Sequence, residues 1–100
     1  VELTNSIDIG LKDADLVTTD VWVSMGDEKD SKRRLSSFSD YQISPTVMDK
    51  AKGDAIFLHC LPAVRGQEIS FDMLDDPRSK VWKQAENRLH AQKSLLLDLL

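Results

Sequence analysis

Ala55-Ile56-Phe57-Leu58-His59-Cys60-Leu61 runs into Pro62, and Leu16-Val17-Thr18-Thr19-Asp20-Val21-Trp22-Val23 is its counterpart earlier in the chain. Both runs are rich in β-branched and aromatic residues, with apolar side chains at odd and even positions alike. A strand with one wet face alternates, whereas a parallel strand covered on both faces stays apolar throughout. The two runs therefore read as parallel strands. Residues 24–54 between them are long enough for a right-handed crossover.

Working outward, the crossover reads as helical. Residues 27–34 carry seven charges in eight positions, with Glu28–Lys32 and Asp30–Arg34 at i,i+4 spacing. Such a segment contributes little core. Ser44-Pro45 has the form of an N-cap followed by proline at the first helical position, and Gly53 suits a left-handed end to that helix. Beyond Pro62 a loop leads to a short helix over 70–76, broken by Pro77. A last helix, capped by Ser79, runs to the chain end, where Trp82, Ala85, Leu89, Leu96 and Leu100 form a stripe expected to dock on a core. Val1-Glu2-Leu3-Thr4 reads as part of a third strand. The predicted fold class is α/β: a partial doubly wound, mostly parallel sheet flanked by helices, an incomplete Rossmann-like domain.

The chain has 100 residues, 41% apolar and 30% charged, which fits one globular domain and excludes collagen-like, disulfide-scaffold and disordered classes. With 13 basic and 17 acidic residues the net charge is −4, so the positive field that draws proteins to nucleic acid or anionic membrane is missing. Neither is expected as a partner. A single cysteine, Cys60, cannot close an internal disulfide and suits a reducing compartment. The chain starts at Val1 without an initiator methionine, which points to a segment of a longer polypeptide.

In open parallel α/β sheets, ligands bind beyond the carboxyl ends of the strands. The first strand delivers Asp20 there, followed by Ser24-Met25-Gly26; the second delivers His59-Cys60-Leu61-Pro62. An acid, a hydroxyl, an imidazole and a thiol can converge on one crevice if the strands are neighbours. His59 adjoins Cys60 and so points to the opposite side of the strand, which argues against a metal pair and against a Cys60–His59 nucleophilic dyad. His90 has no second ligand in register and reads as a surface residue. Arg88, in Glu86-Asn87-Arg88, lies beside the apolar stripe, where a guanidinium pairs with an acid or reaches a cleft.

Together, Asp20-Val21-Trp22-Val23-Ser24-Met25-Gly26, His59-Cys60-Leu61-Pro62 and Glu86-Asn87-Arg88 resemble the ornithine carbamoyltransferases, in that family's order and at about its spacing. The Ser-Met-Gly loop marks ornithine; relatives acting on aspartate usually carry proline where Cys60 stands. The resemblance covers essentially all 100 residues. It implies that residues 1–100 are the C-terminal part of the ornithine-binding domain and that the carbamoyl phosphate-binding domain lies outside this chain.

That resemblance implies carbamoyl transfer from carbamoyl phosphate to the δ-amine of L-ornithine, giving L-citrulline and phosphate, in arginine biosynthesis, the urea cycle or arginine catabolism. Cys60, Asp20 and Arg88 are the implied catalytic residues. Asp20, Ser24 and Met25 would bind ornithine; Cys60, Leu61 and Arg88 would face carbamoyl phosphate. No metal or organic cofactor is implied. The complete protein would be a cytoplasmic homotrimer, or mitochondrial in a eukaryote, and this chain by itself is expected to be inactive. Residues 24–34 are expected to close over ornithine. The alternatives are a carbamoyltransferase for another amine and a non-catalytic flavodoxin-like α/β binding module, which should show a complete sheet of about five strands.

Overall fold

The computed structural model describes residues 1–24, 26 and 28–100, with the side chain of Glu28 set aside. Strand β1 (Leu16–Thr19) and strand β2 (Ile56–His59) pair in parallel, in register from Leu16 opposite Ile56 to Thr19 opposite His59. The two apolar runs are thus the strands expected, each shorter than its run. A third segment extends the sheet on the far edge of β2. There the Phe57 N–H donates to the Arg78 carbonyl at 2.9 Å, and the Lys80 N–H to the Phe57 carbonyl at 2.9 Å.

Among the described residues four helices accompany the strands: α1 (Ile7–Leu11), α2 (Ser31–Phe38), α3 (Pro45–Met48) and α4 (Val81–Leu99). Ser44 caps α3 by accepting from the Val47 N–H at 3.2 Å, with Pro45 in the first turn, as the sequence predicts. Short 3₁₀ turns at Glu28–Asp30, Ser39–Tyr41 and Met73–Asp75 complete the path. No residue of α2 is buried, in keeping with its charge. In the charged run, Asp30 pairs with Arg33 at i,i+3.

Several expectations are corrected. Val1 to Thr4 forms no strand; these residues are exposed, and Ser6 instead caps α1 by accepting from the Ile9 N–H. Gly53 is not left-handed, because α3 stops at Met48 and the chain reaches β2 through turns. Ser79 does not cap α4: its main chain pairs beside Phe57, its hydroxyl is buried without a partner among the described residues, and Lys80 takes the cap position.

The sheet is fully covered on one face only. Val17, Phe57 and His59 point into a core with Leu11, Ile43, Met48, Ile69, Met73 and Val81. On the other face Leu16 and Thr18 are exposed, and Ile56 and Leu58 half-buried beside α4. Nor does the stripe on α4 dock. Val81 is its sole buried residue, and residues 85–100 are all exposed. No helix among the described residues is long and apolar enough to cross a membrane.

Candidate active site

The carboxyl ends of β1 and β2 lie side by side, so residues immediately after Thr19 and His59 must meet. Asp20 Oδ1 accepts from its neighbour's Val21 N–H at 2.7 Å and from the Cys60 thiol at 3.4 Å. The Val21 N–H, then the thiol, hold the Asp20 carboxyl below its usual range. Desolvation pushes the Cys60 thiol up, and the hydrogen bond to Asp20 and its charge add to this, while the positive charge of Arg88 pulls the other way. The resting pair is therefore a protonated thiol donating to an ionised carboxylate.

Arg88 lies across a cleft of about 310 Å³ whose lining includes Cys60, Leu61, Gln84 and Arg88. The structure thus gathers Asp20, Cys60, Leu61 and Arg88. Ser24 is exposed and does not line this cleft. Met25 lies outside the described residues. Gly26 has a φ of +96°, left-handed backbone that glycine adopts without strain.

Behind the strand end lies a buried pair that sequence reasoning missed. His59 turns away from Cys60, as expected, and its Nε2 sits 2.8 Å from Glu68 Oε1, both side chains being fully buried. Its Nδ1 hydrogen-bonds the Cys60 carbonyl. Glu68 Oε1 also accepts from the Val64 N–H at 2.7 Å. His59 and Glu68 therefore fix the main chain on both sides of the Leu61–Pro62 peptide, which is cis. The imidazole touches the carbonyl of Cys60 and not its sulfur, so no cysteine–histidine dyad forms. Nothing in the sequence marked Glu68, an acid in a loop, as buried. His90 is exposed and 3.5 Å from Glu86, a surface residue as predicted.

Gln84 was also missed. Its Oε1 accepts from the His59 N–H at 3.0 Å. The available signal was its spacing, one helical turn before Arg88.

A parallel sheet flanked by helices, with an acid, a thiol and a guanidinium gathered near its carboxyl edge, belongs to the Rossmann-like α/β class. Residues 1–99 match the family model described as aspartate/ornithine carbamoyltransferase, Asp/Orn binding domain, and the chain belongs to that family. It is 55% identical over 100 residues to the ornithine carbamoyltransferase of Psychrobacter sp. (strain PRwf-1), spanning all of this chain and 33% of that protein. The crystal structure of the anabolic ornithine carbamoyltransferase from Campylobacter jejuni is similar with a TM-score of 0.85 at 41% identity, over 94% of this chain and 31% of that one. The ornithine carbamoyltransferase from Pyrococcus furiosus matches with a TM-score of 0.81 at 49% identity, over 90% and 29%. The chain spans about a third of the length of the curated relatives it matches.

Proposed function

We propose that the chain is part of an enzyme that transfers the carbamoyl group of carbamoyl phosphate to the δ-amine of L-ornithine, forming L-citrulline and phosphate. In this reading residues 1–100 are the C-terminal part of the ornithine-binding domain, and the carbamoyl phosphate-binding domain belongs to the rest of the polypeptide. The observation that carries it is the contact between the Cys60 thiol and the Asp20 carboxylate at the carboxyl edge of the parallel sheet, with Arg88 across the cleft. The likeness to named ornithine carbamoyltransferases supports the substrates; arginine metabolism and a cytoplasmic homotrimer are part of the same reading.

Only a neutral amine attacks. An alkyl amine with a lysine-like pKa near ~10.4 requires roughly 4–5 kcal/mol to be neutral at pH 7. A carboxylate beside it raises that cost, so Asp20 orients ornithine rather than deprotonating it. The nitrogen lone pair forms the new C–N bond as the carbonyl pair moves onto oxygen, where Arg88 stabilises the growing negative charge. As the thiol takes the proton leaving the amine, it passes its own to Asp20, so the pair gains one proton. The C–O bond to phosphate then breaks, and that proton leaves with the phosphate. Ser24 and Met25 hold the α-groups of ornithine, and the Leu61 main chain faces the carbamoyl group.

The test is Cys60→Ala in the complete protein. Citrulline formation should fall by about 10²–10⁴-fold, with a smaller change in carbamoyl phosphate affinity. Unchanged turnover from neutral to mildly alkaline pH would return Cys60 to a packing role.

A further inference from the structure

The amides of β2 alternate in direction. The Ile56 N–H points toward β1 and donates to the Asp15 carbonyl at 3.1 Å, whereas the Phe57 N–H points the other way, to the Arg78 carbonyl. The next N–H on that outer edge belongs to His59. By that point the neighbouring segment has already turned into α4 at Val81, so no strand carbonyl remains to face it. The Gln84 side chain fills the place, its Oε1 accepting at 3.0 Å.

That bond matters because α4 is otherwise weakly held. It has no side-chain N-cap, only Val81 is buried, and everything from residue 85 onward is exposed. Gln84 and Arg88 stand one turn apart on the same helical face, and both line the cleft with Cys60. We propose that Gln84 is a positioning residue: by replacing the missing strand carbonyl at His59, it fixes the face of α4 that holds Arg88 over Cys60. The importance for turnover rests on the carbamoyl-transfer reading above; the coupling of Gln84, Arg88 and Cys60 does not.

Cys60 is the single cysteine of these 100 residues, and its reactivity, read at its own peptide, reports the geometry directly. The charged groups acting on its sulfur are Asp20, from the end of β1, and Arg88, from α4; His59 beside it faces the other side. The experiment measures the rate of Cys60 alkylation by iodoacetamide against pH, followed at the Cys60 peptide by mass spectrometry, in the complete protein as wild type, Gln84→Met, Arg88→Met and the double variant. Methionine keeps the length of glutamine and removes the acceptor. Gln84→Met should move the thiol titration upward by about half a unit, slowing alkylation about threefold below the midpoint. In the Arg88→Met background it should add nothing, because the effect runs through Arg88. Exchange of the His59 amide should speed up in Gln84→Met and stay slow in Gln84→Glu, which keeps an acceptor oxygen. Should the methionine variant not fold, Gln84→Asn, which withdraws the acceptor by one methylene, is read in its place. An equal shift in both backgrounds, or a wild-type titration alongside a fast His59 amide, would overturn the proposal. No carbamoyl group moves in this assay, so its failure is separable from loss of citrulline formation.

Discussion

At the scale of single residues the site is a contest between two charges over one thiol. Asp20 raises the Cys60 thiol's titration and Arg88 lowers it. The sign of a substitution follows. Asp20→Asn removes the carboxylate, so the thiol should ionise at lower pH and alkylate several-fold faster at mildly alkaline pH. Thiol-alkylation kinetics across pH would show it, and a slower or unchanged rate would mean that Asp20 does not govern the sulfur. The places of Asp20 and Cys60 were legible in the sequence because a strand's end has a known address in this fold class; Arg88, on a helix, entered only through the likeness of the combined motifs, and the roles of all three stand as proposed. Glu68 and Gln84 were not legible. Their roles come from tertiary neighbours, a buried imidazole for one and an orphaned amide for the other, and no local pattern announces either partner.

At the scale of elements, the segment bringing the outer edge to β2 is pinned by Arg78. Its guanidinium bonds both oxygens of Asp76 at 2.9 Å, Asp49 at 2.7 Å and the Pro45 carbonyl at 3.0 Å. It thus ties α3 to the residues beside Phe57. Arg78→Ala should lower the unfolding free energy by about 2 kcal/mol, read from urea denaturation, since charge-assisted bonds contribute roughly 1.5–3 kcal/mol. Arg78→Lys should recover only part, because a point charge cannot fork. Asp76 supplies a pH signature. Arg78 holds its carboxyl below the unfolded value of 3.8, so this stability is present above that pH and is lost as pH falls through the lower folded value. The alanine variant should lack that acid loss. Sequence pattern found β1, β2 and the Ser44 cap, where local chemistry and fold agree. It failed at Ser79, a cap by composition that the sheet claims through its main chain.

At the scale of the whole molecule, the radius of gyration is 15.5 Å, against about 13 Å for a compact 100-residue domain. α4, whose 19 residues reach about 28 Å at ~1.5 Å each, is the longest element among the described residues. The apolar stripe has the periodicity read from the sequence, but the expected docking on a core does not occur: Ala85 and Leu89 only line the cleft with Cys60, and the residues beyond stay exposed. The leucines of α4 stay largely exposed, from 57% at Leu95 to 72% at Leu99, and so contribute little stability within these residues. Ending the chain after Gln92 should leave the urea midpoint almost unchanged, whereas a large loss would mean that the leucines are covered in solution. The pairing of β1 with β2 has a different kind of consequence, in time. Thr19 and His59 are partners across forty positions of chain. Bringing such distant points together costs about 3 kcal/mol of loop entropy before any contact repays it. Topologies rich in such distant partners are slow to fold. Asp20 meets Cys60 only after that closure, so a chain emerging from the unfolded state gathers its helical turns early and its chemistry last.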